Sequence, residues 1–204
     1  MKENILEFYV NKVKILETTD DINLNFVPSI MRRRMSFLDK VTLSVMNEIF
    51  TENVQNIVFS SQYGEVERLL KIIDQYVESK EVSPNVFSGS VHNYPVGFFL
   101  LNKQKAIPYN VLSACENSIS SGLLASVISV YNNILFCYSD IKNDVPQVIG
   151  INFSKKKTNN SVKYRLKIQD NGYIEDSFND YKKIFSNEIN FIKTSNYVLE
   201  RVEQ

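Results

Sequence analysis

The side chain best placed for nucleophilic chemistry is a cysteine that lies where a predicted strand is followed by a predicted helix. The strand covers residues 109–114, Cys115 comes next, and the helix runs from about residue 117 to residue 131. Amide groups at a helix N-terminus are unpaired and favour a thiolate over a thiol. The same amides can stabilise an oxyanion on a bound thioester. The position therefore suits an acyl nucleophile, although most free cysteines are small buried hydrophobes.

Few other side chains could assist this cysteine. The chain has one histidine, His92, and one further cysteine, Cys137, which lies in an apolar run and is predicted to belong to the core. A mechanism that needs two histidines therefore cannot be completed within one copy of the chain. His92 and Asn93 are candidates to line a pocket, and a structural, hydrogen-bonded histidine is the alternative. We predict no metal site and, without a glycine-rich phosphate loop, no cofactor.

The composition is that of a soluble globular protein, with 44% apolar and 23% charged residues. The 23 basic and 23 acidic residues give a net charge of zero, which argues against a nucleic-acid partner. Two cysteines do not form a disulfide framework and are expected to be reduced. We find no signal-peptide pattern and no run of about 18 apolar residues. We therefore predict a cytoplasmic protein without a membrane span.

Strands and helices alternate along the chain, as judged from hydrophobic periodicity and turn residues. The predicted strands cover residues 5–16, 56–60, 109–114, 134–138, 147–153, 162–168 and 197–202. The predicted helices cover residues 36–49, 65–78, 117–131 and 178–192, and a short helix ends near residue 102. This order predicts one α/β domain over residues 1–204, with a mixed, mostly parallel sheet covered by helices. The strands at 147–153 and 162–168 are predicted to form a C-terminal hairpin.

Two of the predicted helices carry informative side-chain patterns. The helix at 65–78 is amphipathic, which predicts a buried apolar stripe formed by Val66, Leu69, Leu70, Ile73 and Val77. The helix at 117–131 contains no Lys, Arg or Asp, and small residues follow one stripe that includes Ser121, Gly122 and Ala125. A helix without a charged face is buried on most sides. It either lies under other elements of the same chain or packs against a partner subunit.

The residues around Cys115 resemble those of a known family. Residues 113–118, Ser-Ala-Cys-Glu-Asn-Ser, resemble the ketosynthase turn Ala-Cys-x-Thr-Ser. The segments 32–36, 60–65 and 83–97, together with Tyr138-Ser139-Asp140, resemble a specific branch. That branch consists of short β-ketoacyl synthase-like proteins that match only the N-terminal half of a ketosynthase. They occur in bacterial type II clusters for aryl polyene and flexirubin-like pigments, and the resemblance covers nearly the whole chain.

The resemblance implies a thiolase-like half-fold and a type II fatty-acid or polyketide context with acyl carrier protein. Some members of the branch are thought to be chain-length-factor-like partners of a catalytic ketosynthase. A decarboxylating ketosynthase uses its cysteine with two histidines from a C-terminal half, and this sequence has no such half. Asn117 and Ser118, which follow the cysteine turn, are further candidates to line a pocket.

Three hypotheses follow. In the first, the chain is an accessory subunit that forms a heterodimer with a catalytic ketosynthase, with Ser121, Gly122 and Ala125 at the interface. In the second, it is an enzyme in which Cys115 takes an acyl group from a carrier-protein thioester and transfers or hydrolyses it. In the third, it is a structural or regulatory binder with a degenerate thiolase fold.

Overall fold

A computed structural model describes residues 4–19 and 22–202 of the chain. The strands are β1 (Ile5–Leu16), β2 (Asn56–Ser60), β3 (Tyr109–Leu112), β4 (Asn133–Lys142), β5 (Val145–Ser154), β6 (Val162–Ile168), β7 (Phe191–Lys193) and β8 (Tyr197–Arg201). The helices are α1 (Ser29–Arg32), α2 (Phe37–Ile49), α3 (Val66–Ser79), α4 (Pro84–Gly89), α5 (Tyr94–Lys103), α6 (Ser118–Ile128) and α7 (Phe178–Phe185). All eight strands form one sheet in the order β3-β2-β4-β5-β1-β6-β8-β7.

The sheet is mixed, as predicted, but the expectation that it is mostly parallel is wrong. Strand β2 runs parallel to β3 and to β4. The other described pairs are antiparallel. One cause is the turn between β4 and β5, where Asn143 and Asp144 have φ angles of 51° and 62°. Two consecutive left-handed residues form the tight turn that reverses a chain directly into an antiparallel neighbour.

The predicted pairing of β5 with β6 is also wrong, because β1 lies between them. Strand β1 pairs with β5 through Tyr9–Leu16 and with β6 through Ile5–Val10, antiparallel in both cases. The hairpin is instead formed by β4 and β5. Alternating apolar residues show which face of a strand is buried, but they do not identify its neighbours.

Helices cover both faces of the sheet, and each face has its own hydrophobic core. Side chains alternate along each strand, so Val58 and Phe136 pack toward α6 and α7. Phe59 and Leu135 pack toward α2 and α5. Cys137 belongs to this second core and is fully buried, which confirms the prediction from its apolar run.

The predicted capping box begins α2 and is part of a buried ion cluster. The Ser36 hydroxyl accepts from the Asp39 amide and the Asp39 carboxylate accepts from the Ser36 amide, both at 2.9 Å. Arg68 of α3 donates to the same carboxylate at 2.7 Å and lies 3.4 Å from Glu65. The Ser36 hydroxyl also donates to Glu65 at 2.6 Å. This cluster therefore ties the start of α3 to the start of α2.

The prediction that α3 buries its apolar stripe is wrong. None of the helix's residues is buried, and Val66, Leu69, Leu70, Ile73 and Val77 are between 42% and 65% exposed. The helix is attached to the body through the opposite side, which carries Arg68. The sequence pattern identified an amphipathic helix but could not show that its apolar side faces outward.

The helix predicted at 178–192 is shorter than expected. It ends at Phe185, and Asn187 follows with a φ angle of 65°. A left-handed residue ends a helix, and the chain then enters the short strand β7. Its apolar residues Phe178, Tyr181 and Ile184 are buried in the core beneath α6 and α7.

Candidate functional site

Cys115 lies in the turn between β3 and α6 with its backbone in the left-handed region, at a φ angle of 49°. For a residue other than glycine this conformation costs on the order of 1–2 kcal/mol. Such strain persists only where the surroundings enforce it, and it is concentrated at functional sites. The side chain is exposed, so solvent and ligands can reach the thiol.

Ser118 holds this turn in place. Its hydroxyl donates to the carbonyl of Cys115 at 2.7 Å and accepts from the amide of Ala114 at 3.0 Å. The amide of Asn117 donates to the carbonyl of Ala114 at 2.9 Å. Ser118 is itself buried. The first residue of α6 thus fixes the conformation of the cysteine that precedes it.

The thiol opens onto a cleft of about 410 Å³ that is shared by β4, α6 and the segment before α7. Tyr63 and Ser118 line it, as do Tyr138 and Phe178 from the core on that side. Its charged lining residues are Glu116, Asp140, Glu175, Asp176 and a single lysine, Lys142. The cleft therefore has an excess of negative charge.

Asp176 connects the C-terminal segment to the N-terminus of α6. Its carboxylate accepts from the Ser120 amide at 2.7 Å, and its own amide donates to the Glu116 carbonyl at 3.2 Å. The second carboxylate oxygen is buried without a hydrogen-bond partner. Burial raises the pKa of Asp176 to about 6, against the opposing effect of the hydrogen bonds from Ser120. Asp176 thus takes a helix N-terminal amide that a bound oxyanion would otherwise use.

Asp140 fixes another wall of the cleft. Its carboxylate accepts from the Ser61 hydroxyl at 2.7 Å and from the amides of Gln62 and Tyr63 at 2.6 and 3.0 Å. Burial and the nearby Asp140 charge raise the pKa of Tyr138. Asp140 of β4 therefore positions the turn that carries Tyr63 into the cleft.

Of the four predicted pocket-lining residues, only Ser118 lines this cleft. His92 packs against Gly64 and lies 6.1 Å, between ring centroids, from Phe59 in the core on the α2 side. Asn93 is exposed and donates to the Tyr109 hydroxyl at 3.3 Å. The structure does not bring these residues to Cys115, because Phe59 and the histidine beside it belong to the other face of the sheet.

Asn117 is also absent from the cleft lining. Its side-chain amide donates to the Ser195 hydroxyl at 3.5 Å, and its side-chain oxygen is buried without a partner. The residue follows Cys115 by two positions, but the left-handed turn directs it toward the loop between β7 and β8. Nearness in sequence to the cysteine was therefore a poor guide to nearness in space.

The predicted interface residues of α6 divide between its two sides. Gly122 packs against the chain's own sheet, since a Cβ atom there would lie 2.5 Å from the Ser60 hydroxyl and 2.7 Å from the Phe136 ring. The assignment of Gly122 to a partner interface is therefore wrong. Ser121 and Ala125 are only half-buried.

Ser121 and Ala125 share the outer face of α6 with Leu124 and Ile128. These residues follow the spacing i, i+3, i+4 and i+7, and Ile128 is 58% exposed. The outer face carries no charged residue. It remains the part of α6 that is available to another chain.

Sequence reasoning missed the acidic residues of the cleft. Tyr138 and Asp140 were noted only as part of a family-like segment, and Glu175 and Asp176 were not singled out. Both of the latter lie in a polar stretch without periodicity, and no local signal indicates that it folds onto a helix that begins almost 60 residues earlier.

Among the described residues, no group of three or more His, Cys, Asp or Glu side chains could hold a metal ion.

Solved structures show the class of this fold. One chain of the structure titled "Ketosynthase (ApeO) in Complex with its Chain Length Factor (ApeC) from Xenorhabdus doucetiae" superposes with a TM-score of 0.73. The match covers 96% of this chain and 100% of that chain, at 15% sequence identity. At this identity the likeness shows the fold alone. The helix-covered mixed sheet with a cysteine between strand and helix is thus a thiolase-like α/β fold.

The sequence also matches a family profile, that of the β-ketoacyl synthase N-terminal domain, over residues 10–148. The matched region includes the cysteine turn and most of the chain. The chain therefore belongs to the β-ketoacyl synthase N-terminal domain family. No curated protein sequence matches it. In the part of the chain that the structure describes, every helix is too short or too polar to cross a membrane.

Proposed function

We propose that the chain is a chain-length-factor-like accessory subunit that pairs with a catalytic ketosynthase in type II fatty acid or aryl polyene biosynthesis in the cytoplasm. One observation carries this proposal. The residues around Cys115 resemble the ketosynthase turn, but the charged groups lining its cleft are four carboxylates and one lysine. Decarboxylative condensation develops negative charge on an enolate and on a thioester oxygen, which requires hydrogen-bond donors. An acidic cleft opposes that charge.

The outer face of α6 and the edge strand β3 support pairing with another chain. Strand β3 ends the sheet, so one side of its backbone has no strand partner among the described residues. Tyr109 and Asn110 on this strand are exposed. An exposed strand edge can pair with a neighbouring protein, and the uncharged outer face of α6 offers an apolar contact. Together they provide a surface for a ketosynthase of related fold.

Co-expression with a candidate partner ketosynthase of a type II system tests the pairing. We expect a stable complex on size-exclusion chromatography. Ile128→Glu on the outer face of α6 should weaken it at least tenfold, because a buried unpaired charge costs several kcal/mol. Ile30→Glu on α1 is a matched control, since Ile30 is 67% exposed and lies on a different helix. If this chain stays unbound while the ketosynthase is fully active alone, the proposal is wrong.

A second measurement asks whether the subunit sets chain length on the acyl carrier protein. The reconstituted system should yield a defined product length with this chain and a broader distribution without it. Asn179→Trp, which adds bulk at the rim of the cleft, should shorten the products. A stable complex whose product length does not respond to this substitution would favour a purely structural or regulatory subunit.

The exposure of Cys115 favours one alternative, an acyl-transfer or thioester-hydrolysing enzyme. The thiolate would attack the thioester carbonyl of an acyl carrier protein and release the carrier's thiol. Asp176, with a pKa of about 6, could exchange a proton near neutral pH. Intact-mass analysis after incubation with acyl carrier protein should then show one acyl adduct, which Cys115→Ser abolishes. An unchanged mass in the wild-type chain, together with the same rate of thioester consumption in Cys115→Ser, would exclude this activity.

A further inference from the structure

The apolar side of α3 faces solvent along its whole length. We call this surface the α3 stripe, and its residues, each between 42% and 65% exposed, are Val66, Leu69, Leu70, Ile73, Tyr76 and Val77. Helix α2 is also amphipathic, but it buries its apolar residues against the sheet. A continuous exposed apolar stripe on an otherwise polar helix marks a surface that another molecule covers.

The α3 stripe cannot turn inward, because the other side of the helix is fixed. The Arg68 guanidinium donates to the carbonyls of Gly89 and Arg34 at 2.7 and 2.9 Å. It also pairs with Asp39 and Glu65, both of which are buried. Rotating α3 would separate Arg68 from Asp39 of α2 and leave the buried Asp39 carboxylate without its ion-pair partner, which is strongly unfavourable. The outward direction of the stripe is therefore a property of the folded chain.

The size of the α3 stripe fits a contact between two copies. Six residues that are about half exposed present roughly 600 Å² of surface, the upper end of what a typical monomer shows in one patch. Two such surfaces would bury roughly 1,200 Å² in total, which is the lower limit of a standard specific interface.

The spacing of the stripe also fits a second copy of this chain. Four of the six stripe residues, at positions 66, 70, 73 and 77, follow at intervals of four, three and four, which read the same in both directions, and Leu69 and Tyr76 lie beside this central line. An antiparallel copy of α3 related by a twofold axis would therefore set Val66 opposite Val77 and Leu70 opposite Ile73. We propose that the α3 stripe is a twofold interface between two copies of this chain.

This interface is separate from the surface proposed for the ketosynthase. Helix α6 covers one face of the sheet, whereas α3 is attached through Arg68 to α2, which covers the other. The two contacts can therefore form at the same time. Two pairs of accessory subunit and ketosynthase would then join through α3 into a four-chain assembly.

Sedimentation of the purified chain alone over a concentration series tests the proposal. We expect a dimer that dissociates on dilution. Ile73→Glu should raise the dissociation constant at least tenfold, since each tenfold change corresponds to about 1.4 kcal/mol. Val77→Glu, at a more exposed position, serves as a second variant that cannot disturb a core. Ile128→Glu on α6 should leave this dimer intact and weaken only the ketosynthase complex.

Cross-linking gives an independent readout. In a Cys115→Ser background, Ile73→Cys lies near the twofold axis and should form a disulfide-linked dimer on mild oxidation. Lys71→Cys, on the polar side of the same helix, should not. The proposal is overturned if the chain is monomeric at every concentration, if both glutamate variants dimerise like the wild type, or if the α3 stripe becomes protected from solvent only when ketosynthase is added.

Discussion

Cys115 and Cys137 are the same residue type in opposite surroundings. Cys115 is exposed in a strained turn, whereas Cys137 is fully buried within β4. Burial raises the pKa of the Cys137 thiol well above its usual range because a thiolate is poorly solvated in an apolar core. Only the first cysteine is therefore available for chemistry in the folded protein.

This contrast predicts selective alkylation. Iodoacetamide should add one group to the native protein and two groups after unfolding in guanidinium. The native adduct should disappear in Cys115→Ser, while the second site should remain slow until the protein unfolds. Intact-mass spectrometry gives the count directly. Two rapid adducts in the native state would contradict the burial of Cys137.

Two features of Gly64 disfavour a side chain: its left-handed backbone and its close contact with His92. Mutation can separate their effects on stability. Its φ angle is 57°, and a Cβ atom would lie 2.5 Å from the Nδ1 atom of His92. Gly172 has a φ angle of 73° but no atom within 4 Å of its Cβ position. Gly172→Ala should therefore lose only about 1 kcal/mol for the left-handed backbone. Gly64→Ala should lose about 1–3 kcal/mol more from overpacking, measured by urea unfolding. Equal losses would show that His92 moves aside freely.

Helix α6 is the element that positions the cysteine turn, and its packing depends on one glycine. Gly122→Ala should destabilise the protein by about 1–2 kcal/mol, because overpacking against Ser60 and Phe136 outweighs the better helix propensity of alanine. Ser121→Ala, the neighbouring change on the half-buried side, should be neutral or slightly stabilising. Thermal and urea unfolding of the two variants measure the difference. A stabilised Gly122→Ala protein would contradict the close contact with the sheet.

Much of the secondary structure could be predicted from local pattern. The strands at 5–16, 56–60 and 162–168 have the predicted bounds, and the capping box starts α2 where Ser36 indicated. Strand neighbours could not be predicted in the same way, since insertion of β1 between β5 and β6 joins segments more than 130 residues apart in sequence. Long-range pairing depends on turn geometry and on the competition among strands. The hydrophobic periodicity of a single segment contains neither kind of information.

The candidate site was predictable only in its local part. The strand–turn–helix context of Cys115 is contained in about 20 consecutive residues, and the structure confirms that context. The carboxylates of the cleft come from distant loops, and no pattern links Asp176 to α6. The amphipathic pattern of α3 predicted a covered surface but could not show whether the cover lies within the chain.

At the scale of the whole molecule, the formal net charge of zero assumes that every carboxyl group is ionised. Some buried carboxyl groups have raised pKa values instead. Burial and the neighbouring Asp39 charge raise the pKa of Glu65 to about 7. Asp39 accepts from Arg68 and from the Ser36 amide, so we assign the charge to Asp39 and the proton to Glu65. Burial raises the pKa of Asp176 to about 6. Both groups therefore hold their proton to a higher pH in the folded chain than in the unfolded chain.

These shifts predict that the stability contributed by these two carboxyl groups falls as the pH rises from about 4 to about 7. A carboxyl with a raised folded-state pKa contributes stability that is complete below its unfolded pKa, 4.5 for Glu65. That stability is lost as the pH rises through about 7, because the unfolded chain releases the proton first. The loss from Glu65 is on the order of 3 kcal/mol. Glu65→Gln should therefore be more stable than the wild type at pH 8 and lose this advantage near pH 4.5.

Urea unfolding across this range measures the effect, with Glu67→Gln, an exposed change on the same helix, as the control. Parallel curves for wild type and Glu65→Gln would show that the buried cluster keeps both carboxylates charged.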